Sequence, residues 1–244
     1  MTNYKKFWQF YEELEEREEK DIDVENPFEL SNLKNNQYKA EYYKSDVILK
    51  TISLEYQNQF ESNIKNDDGS KKTLVLDLDG TLIFSSRSFK EHFDFTVSIY
   101  GRLYYIIMRP HLVEFLETMN RMYELVLFTA SSKFYADSII KKFDPNNVLF
   151  KKRFYRNSCQ RFTGVLVKDL NRVGRNLENI MIIDDLLQAI SFQKNNCIMI
   201  NKWTGESKLD NSLIILAAFL KKICDTTVDV RKIIFDTFHR IHAD

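Results

Sequence analysis

Short apolar runs alternate with amphipathic stretches over the chain from about residue 70 onward. Four of these runs have the length and composition of buried strands, at residues 73–78, 124–128, 179–183 and 197–200. The stretches between them are long enough for helices. This alternation is typical of a parallel sheet flanked by helices, and it predicts an α/β fold.

The segment between the first two predicted strands has a different pattern. Residues 93–99 and 103–108 are two β-like runs separated by a Tyr-Gly-Arg turn. This arrangement predicts a β-hairpin inserted into the α/β scaffold. Arg109-Pro110 closes the hairpin and opens a predicted helix that runs to about residue 122.

Residues 1–70 carry helical periodicity that Pro27 interrupts. Residues 66–72 are rich in turn-forming types and read as a boundary. We therefore predict an N-terminal helical extension over residues 1–70 and a main domain over residues 71–244. We expect the extension to dock on its own domain in preference to acting as a partner-binding arm.

Composition indicates a folded protein, since 44% of the 244 residues are hydrophobic. The 35 basic and 35 acidic residues cancel, so no general affinity for nucleic acid is predicted. The charges are unevenly spread, however, and the segment 133–175 holds eleven Lys and Arg against three Asp. We expect this segment to attract an anionic partner. The basic positions are Lys133, Lys141, Lys142, Lys151, Lys152, Arg153, Arg156, Arg161, Lys168, Arg172 and Arg175.

The three cysteines and four histidines share no metal-ligand spacing, which argues against a zinc site and for a reducing compartment. No signal peptide is recognisable, and the longest apolar run, residues 213–220, is too short to span a bilayer. We expect a soluble, monomeric protein of the nucleus or cytoplasm.

Two carboxylates follow the first predicted strand. Asp77 and Asp79 alternate, so they project to the same side of an extended backbone, and Gly80 frees the chain to turn immediately afterwards. Like charges this close repel unless a cation lies between them, and Mg²⁺ prefers such oxygen ligands. An EF-hand fails on spacing, because Gly80 falls at loop position 4 instead of 6. An ordinary strand followed by an Asx turn is the plain alternative.

Oxygen-bearing side chains also follow two further strands: Thr129 after residues 124–128, and Asp184 with Asp185 after residues 179–183. Ligands of open α/β sheets bind outside the carboxyl ends of the strands, so these groups are expected to converge with Asp77. Lys168 interrupts an apolar run, and it is either a surface lysine on an edge strand or a group that could neutralise a phosphoryl group at the site. Acids, a lysine, a hydroxyl and Mg²⁺ favour metal-assisted phosphoryl transfer over acyl transfer or redox chemistry.

The chain resembles the haloacid dehalogenase-like superfamily, and within it the small C-terminal-domain phosphatases of RNA polymerase II and the Dullard-like group. The matching segments occur in family order from about residue 73 to 232. They are residues 74–82, 109–111, 114–116, 127–131, 135–137, 154–156, 167–170, 174–175, 182–185 and 229–231. The resemblance implies a haloacid dehalogenase-like, Rossmann-like sheet and a protein phosphatase related to the Fcp1-homology domain.

The resemblance also implies catalytic roles. Asp77 would be the nucleophile that forms an aspartyl-phosphate, and Asp79 would be the general acid and base. Thr129 and Lys168 would hold the phosphoryl oxygens. The Mg²⁺ ligands would be Asp77, the Asp79 backbone carbonyl and Asp185, with Asp184 oriented through water or lysine.

For the substrate, the resemblance implies phosphoserine in a Ser-Pro peptide, with the polymerase tail as the first to try. Arg156 would reach a second phosphate on the peptide. Val97 and Ile99 of the hairpin, together with Tyr135, would line the groove.

Two departures from the family pattern stand out. Leu186-Leu187 replaces the usual Ser-Pro after the acidic pair, which could alter the turn that holds Asp185, and Ser132 replaces an apolar residue of the peptide pocket. A non-catalytic peptide-binding protein on the same fold is therefore the alternative function. A small-metabolite phosphatase is disfavoured, because the predicted hairpin leaves the groove open.

Overall fold

The computed structural model describes residues 71–162 and 164–239, so the predicted helical extension over residues 1–70 lies outside the described residues. A five-stranded parallel sheet forms the centre, in the order β10-β9-β1-β5-β6. Its strands are β1 Thr73–Leu76, β5 Glu124–Phe128, β6 Lys152–Phe154, β9 Ile180–Asp184 and β10 Cys197–Met199. Four of them confirm the four predicted strands: the bounds of β5 agree at both ends, and those of the other three differ by at most two residues.

Alternate residues of the central strands pack into two separate cores, as a buried parallel sheet requires. In β1, Leu74 and Leu76 belong to the larger core, whereas Val75 belongs to the smaller one. The larger core includes residues from four helices: α1 Leu112–Met122, α2 Lys133–Phe143, α3 Ser212–Ile223 and α4 Val230–His239. The smaller core is covered by 3₁₀ segments at Leu170–Val173 and Leu187–Asn196.

The predicted hairpin is present and belongs to a second sheet. Strands β3 Phe95–Ile99 and β4 Arg102–Met108 pair in antiparallel fashion, and β2 Ile83–Ser86 adds to the other side of β4. Tyr100 and Gly101 form the connecting turn with φ values of 49° and 74°, a conformation typical of tight two-residue hairpins. The sequence pattern did not predict β2.

Two further strands form a ribbon outside the central sheet. β7 Gln160–Phe162 pairs in antiparallel fashion with β8 Val165–Val167, which ends immediately before Lys168. The Lys168 amide donates to the Ala189 carbonyl at 2.6 Å and so anchors the end of the ribbon to the 3₁₀ segment after β9. Short 3₁₀ turns also occur at Arg156–Ser158 and Leu177–Asn179.

Candidate active site

The three strands in the middle of the sheet end at the same edge. Asp77 follows β1, Thr129 follows β5, and Asp184 is the last residue of β9. Because β1 pairs in parallel with both β5 and β9, these ends are neighbours in space. The predicted convergence of the strand-end residues is confirmed.

A lysine joins two of the acids. The Lys168 Nζ atom lies 2.5 Å from Asp77 Oδ1 and 2.6 Å from Asp184 Oδ2. All three side chains are almost completely buried. Asp184 is therefore oriented by lysine directly, one of the two routes expected from the sequence. A second contact fixes it, since Asp184 Oδ1 accepts the Leu186 amide at 2.9 Å.

Asp185 completes an acidic group. Asp77, Asp184 and Asp185 each present a carboxylate oxygen, and these oxygens lie within 4.8 Å of one another. Gly80 makes room for Asp185: a Cβ at position 80 would lie 2.6 Å from Asp185 Oδ2, and its φ of +85° also favours glycine. The turn through Leu186 and Leu187 therefore keeps Asp185 beside the other acids.

The acidic group fits a divalent cation. Three carboxyl groups face one ammonium, so the fully ionised group would carry two surplus negative charges, and hard cations take carboxylate oxygens at this kind of spacing. The absence of a side chain at Gly80 is consistent with this interpretation, because a Cβ there would displace the Asp185 carboxylate.

Burial is the largest single effect on the pKa of Asp77, Asp185 and Lys168. It raises the pKa of Asp77 to about 8, although the Lys168 ammonium acts in the opposite direction. Burial, with repulsion from Asp184, also raises the pKa of Asp185. For Lys168, burial lowers the pKa, but the carboxylates of Asp184 and Asp77 outweigh it and raise the value overall, so the lysine is charged.

Asp79 is held by hydroxyls and not by a cation. The Ser131 hydroxyl donates to Asp79 Oδ2 at 2.7 Å, and the Tyr135 hydroxyl donates to Oδ1 at 2.6 Å. The Ser85 hydroxyl lies 2.7 Å from the Tyr135 phenol oxygen. Burial raises the pKa of Asp79 even though both hydrogen bonds lower it. Tyr135, predicted as a groove residue, therefore also contacts the second acid.

The loop after β5 forms one side of the site, and the basic segment 133–175 follows this loop in the sequence. Thr129 is buried, and its Oγ1 accepts the Ser131 amide at 3.0 Å. Arg156 is exposed and donates from Nε to the Ala130 carbonyl at 2.7 Å. The Ser132 hydroxyl caps α2 by accepting the Tyr135 amide at 3.4 Å. The structure thus places Arg156 at the rim of the site.

The structure places the two predicted groove residues of the hairpin in the larger core. Val97 and Ile99 are each only 5% exposed. Tyr104 of the same hairpin packs edge-on against Tyr135, with ring centroids 5.5 Å apart. Val97 and Ile99 therefore offer little surface to a peptide in this conformation, and their role as substrate contacts stays a prediction.

Sequence reasoning missed an ion pair between a buried arginine and a partly buried aspartate that contacts the turn following Asp79. Arg109 Nε and Nη2 donate to the two carboxylate oxygens of Asp210, both at 2.9 Å, and its Nη1 donates to the Thr81 carbonyl at 3.1 Å. The Trp203 amide donates to the Gly80 carbonyl at 2.6 Å. The Asp210 pKa is lowered, because hydrogen bonding and attraction from Arg109 outweigh the larger single effect of burial.

Comparison with known proteins shows the family. Residues 72–231 match the model of the NLI interacting factor-like phosphatases, and the chain belongs to this family. The resemblance drawn from the sequence is thereby confirmed. No helix in residues 71–162 or 164–239 combines the length and the apolar character that a membrane crossing requires.

Two relatives and one solved structure illustrate the similarity. Phosphatase Herzog of Drosophila melanogaster is 40% identical over 144 residues, which are 57% of this chain and 41% of that protein. The human carboxy-terminal domain RNA polymerase II polypeptide A small phosphatase 1 is 36% identical over 163 residues, 65% of this chain and 62% of that one. The solved structure is that of Fcp1, an essential RNA polymerase II CTD phosphatase. The match covers 74% of this chain and 53% of the Fcp1 chain, at 20% identity and a TM-score of 0.45.

The chain spans about half the length of the curated relatives it matches, with shares of 50%, 41% and 31% for three of them. What those longer proteins do beyond this domain is therefore not carried over to it.

Proposed function

We propose that the protein is a Mg²⁺-dependent protein serine phosphatase that works through an aspartyl-phosphate. The observation that carries this proposal is the buried contact of Lys168 with Asp77 and Asp184, beside Asp185 and close to a second strand-end acid, Asp79. Family membership supports the same activity.

Asp77 is the nucleophile in this proposal. Its carboxylate oxygen attacks the phosphorus of a phosphoserine, the bond from phosphorus to the seryl oxygen breaks, and Asp79 gives its proton to that oxygen. Asp79 is suited to this role, because burial raises its pKa and so favours the protonated form that a general acid needs. In the second half, Asp79 takes a proton from water, the water oxygen attacks phosphorus, and phosphate leaves Asp77.

Lys168 and Thr129 hold the phosphoryl oxygens, since both lie beside the nucleophile at the same edge of the sheet. Asp77, Asp185 and the Asp79 backbone carbonyl would hold the Mg²⁺ ion, with Asp184 next to them. The ion would offset the surplus negative charge and favour ionised Asp77 in spite of its burial. Lys168 contributes by keeping Asp77 and Asp184 from repelling each other.

Phosphoserine in a Ser-Pro segment, such as the RNA polymerase II tail, is the proposed substrate. The human relative is named for that polypeptide, and the exposed Arg156 at the rim of the site suits a second phosphate of the same peptide. No nucleic acid contact, a monomeric state and a nuclear or cytoplasmic location stay predictions.

The test uses p-nitrophenyl phosphate and a phosphoserine peptide. We expect hydrolysis in Mg²⁺, loss of hydrolysis in EDTA, and a fall of about three orders of magnitude or more for Asp77→Asn, because the amide is not a nucleophile. Glu117→Gln on the exposed face of α1 is the matched control and keeps full activity. Peptide binding without phosphate release would instead favour the non-catalytic alternative.

A further inference from the structure

A groove lies along the exposed side of α2, between this helix and the tip of the β3–β4 hairpin. We call it the hairpin–helix groove. It has a volume of about 520 Å³, and its walls include Tyr100, Ser132, Lys133, Phe134 and Lys141. It begins beside the site, because Ser132 directly follows Ser131, whose hydroxyl holds Asp79.

Two exposed aromatic rings form the middle of this groove. Tyr100 at the hairpin tip is 80% exposed and stacks on Phe134 of α2, which is 49% exposed, with ring centroids 4.9 Å apart. Contiguous exposed aromatic surface of this kind marks sites of interaction more often than isolated apolar residues do. A flat stacked pair suits an apolar or proline side chain of an extended peptide.

The charged residues of the groove are mainly basic. Lys133 lies near its mouth and is paired with Asp137 at 2.7 Å, while Lys141 lies two turns further along α2. Within the residues that the structure describes, Lys141 has no acidic partner. Its positive charge is thus available to an acidic group of a bound peptide.

The length of the groove sets where that acidic group must lie. Lys133 and Lys141 are separated by about 12 Å along the helix axis. An extended peptide covers this distance in about four residues. Since the phosphoserine itself must lie deeper, against Asp77, the acidic residue is expected about four to six positions away.

We propose that the hairpin–helix groove binds the segment of a phosphoprotein that flanks the phosphoserine, and that Lys141 selects for an acidic residue about four to six positions from it. This inference rests on the proposed phosphatase function. It adds a specificity determinant on residues outside the acidic site and the rim arginine Arg156.

The experiment measures kcat/KM for phosphoserine peptides that carry a single Asp, moved through positions two to eight on either side, in an alanine background. For the wild-type protein we expect a preference of about threefold to fivefold for Asp at four to six positions, on one side only. The preference is expected to shrink at 0.5 M salt, since exposed charge pairs are screened there.

Three variants decide whether the groove is responsible. Lys141→Glu is expected to reverse the preference, so that a Lys-bearing peptide becomes better than the Asp-bearing one. Lys142→Glu, exposed on the same helix but outside the groove, is expected to keep the wild-type preference. Phe134→Ala is expected to raise KM for all peptides, unlike Phe235→Ala, which removes a similarly exposed ring from α4.

Each outcome bears on a separate statement. If the protein hydrolyses p-nitrophenyl phosphate but shows no position-dependent preference, or if Lys141→Glu and Lys142→Glu behave alike, the groove proposal is wrong and the phosphatase proposal stands. If no phosphate is released in Mg²⁺ from any substrate, the phosphatase proposal is wrong and the groove proposal falls with it.

Discussion

Arg109 with Asp210 and Lys168 with its surrounding acids are both buried charge clusters, but only the first is balanced. The Arg109 guanidinium meets one carboxylate through two parallel hydrogen bonds and uses a third to hold the Thr81 carbonyl. Lys168 meets Asp77 and Asp184, with Asp185 close by, so negative charge is left over. Both clusters contact the same turn, residues 79–81, because Arg109 binds the Thr81 carbonyl and the Asp185 carboxylate lies against Gly80.

The difference shows how one turn is both built and used. The balanced pair needs no further partner, and it fixes the backbone of the turn through the hydrogen bond from Arg109 to the Thr81 carbonyl. The unbalanced cluster is unfavourable as it stands, because buried like charges repel, and a bound cation can relieve that repulsion. In this protein the net charge of a cluster, and not its burial, distinguishes the structural cluster from the candidate functional one.

Asp210→Asn should have the largest effect on stability. It leaves the Arg109 charge buried without a counter-charge, and the free energy of unfolding is expected to fall by about 3–5 kcal/mol. Chemical denaturation monitored by circular dichroism measures this change. Asp229→Asn, which breaks an exposed pair with Arg231, is the control and should cost at most about 1 kcal/mol. Equal costs for the two variants would contradict the comparison.

Mg²⁺ should stabilise the folded protein through the unbalanced cluster. At about 100 times its dissociation constant, the ion is expected to add about 2.7 kcal/mol to the free energy of unfolding, relative to EDTA. Asp185→Asn removes one of the carboxylates and should lose most of this gain. Denaturation midpoints with and without Mg²⁺ provide the measurement. A full Mg²⁺ shift in the variant would show that the ion binds elsewhere.

Gly80→Ala should cost about 2 kcal/mol, part from its φ of +85° and part from the contact with the Asp185 carboxylate. Gly174→Ala is the matched control, because Gly174 also has a positive φ, 72°, but nothing lies within 4 Å of its added Cβ. For Gly174→Ala the free energy of unfolding should fall only by the backbone contribution, about 1 kcal/mol. If both variants lose the same stability, Asp185 does not occupy the space above Gly80.

Asp185→Asn in EDTA should have the smallest effect, and of opposite sign to Asp210→Asn. Neutralising one of three crowded acids is expected to stabilise the protein slightly at neutral pH, because it removes the cost of burying the Asp185 charge beside Asp184. Because the Asp185 pKa is raised in the folded state, the wild type loses stability as pH rises above 3.8 through that folded pKa. The gain from the variant should thus vanish near pH 4.

The Asp210 pair should respond to pH in the opposite direction. Its pKa is lowered on folding, so its contribution is present above 3.8 and is lost as pH falls through the folded pKa. As pH rises from 4 to neutral, Asp210→Asn should become progressively less stable than the wild type. Over the same range Asp185→Asn should become progressively more stable than the wild type. Denaturation curves between pH 3 and pH 8 would reveal parallel slopes if this assignment is wrong.

The parts of the fold that sequence predicted are those that local pattern determines. Strands β1, β5 and β9 are continuous apolar runs, because a central parallel strand is buried on both faces. Strand β6 was missed, since its three residues Lys-Arg-Phe carry two charges and are only partly buried. Its place at the edge of the sheet comes from pairing with β5, which no local signal reveals.

The same division holds for the site. Asp77, Thr129 and Asp184 could be grouped in advance, because parallel strands bring their carboxyl ends together. Lys168 stood out as a charge in an apolar run. The Arg109–Asp210 pair could not be found, since 101 positions separate the partners and Asp210 lies in an unremarkable polar loop. Tyr135 was predicted only as a groove residue, because its contact with Asp79 depends on how α2 docks.

Lys168 reaches the site at the end of the two-stranded ribbon β7–β8 and not on a strand of the central sheet. Ribbons of three-residue strands open more readily than the body of a domain. Gentle heating or low urea should therefore withdraw the ammonium from the acids while the central sheet persists. A preparation could then keep its far-ultraviolet circular dichroism spectrum after it has lost activity. The spectrum alone therefore does not establish that the protein is active.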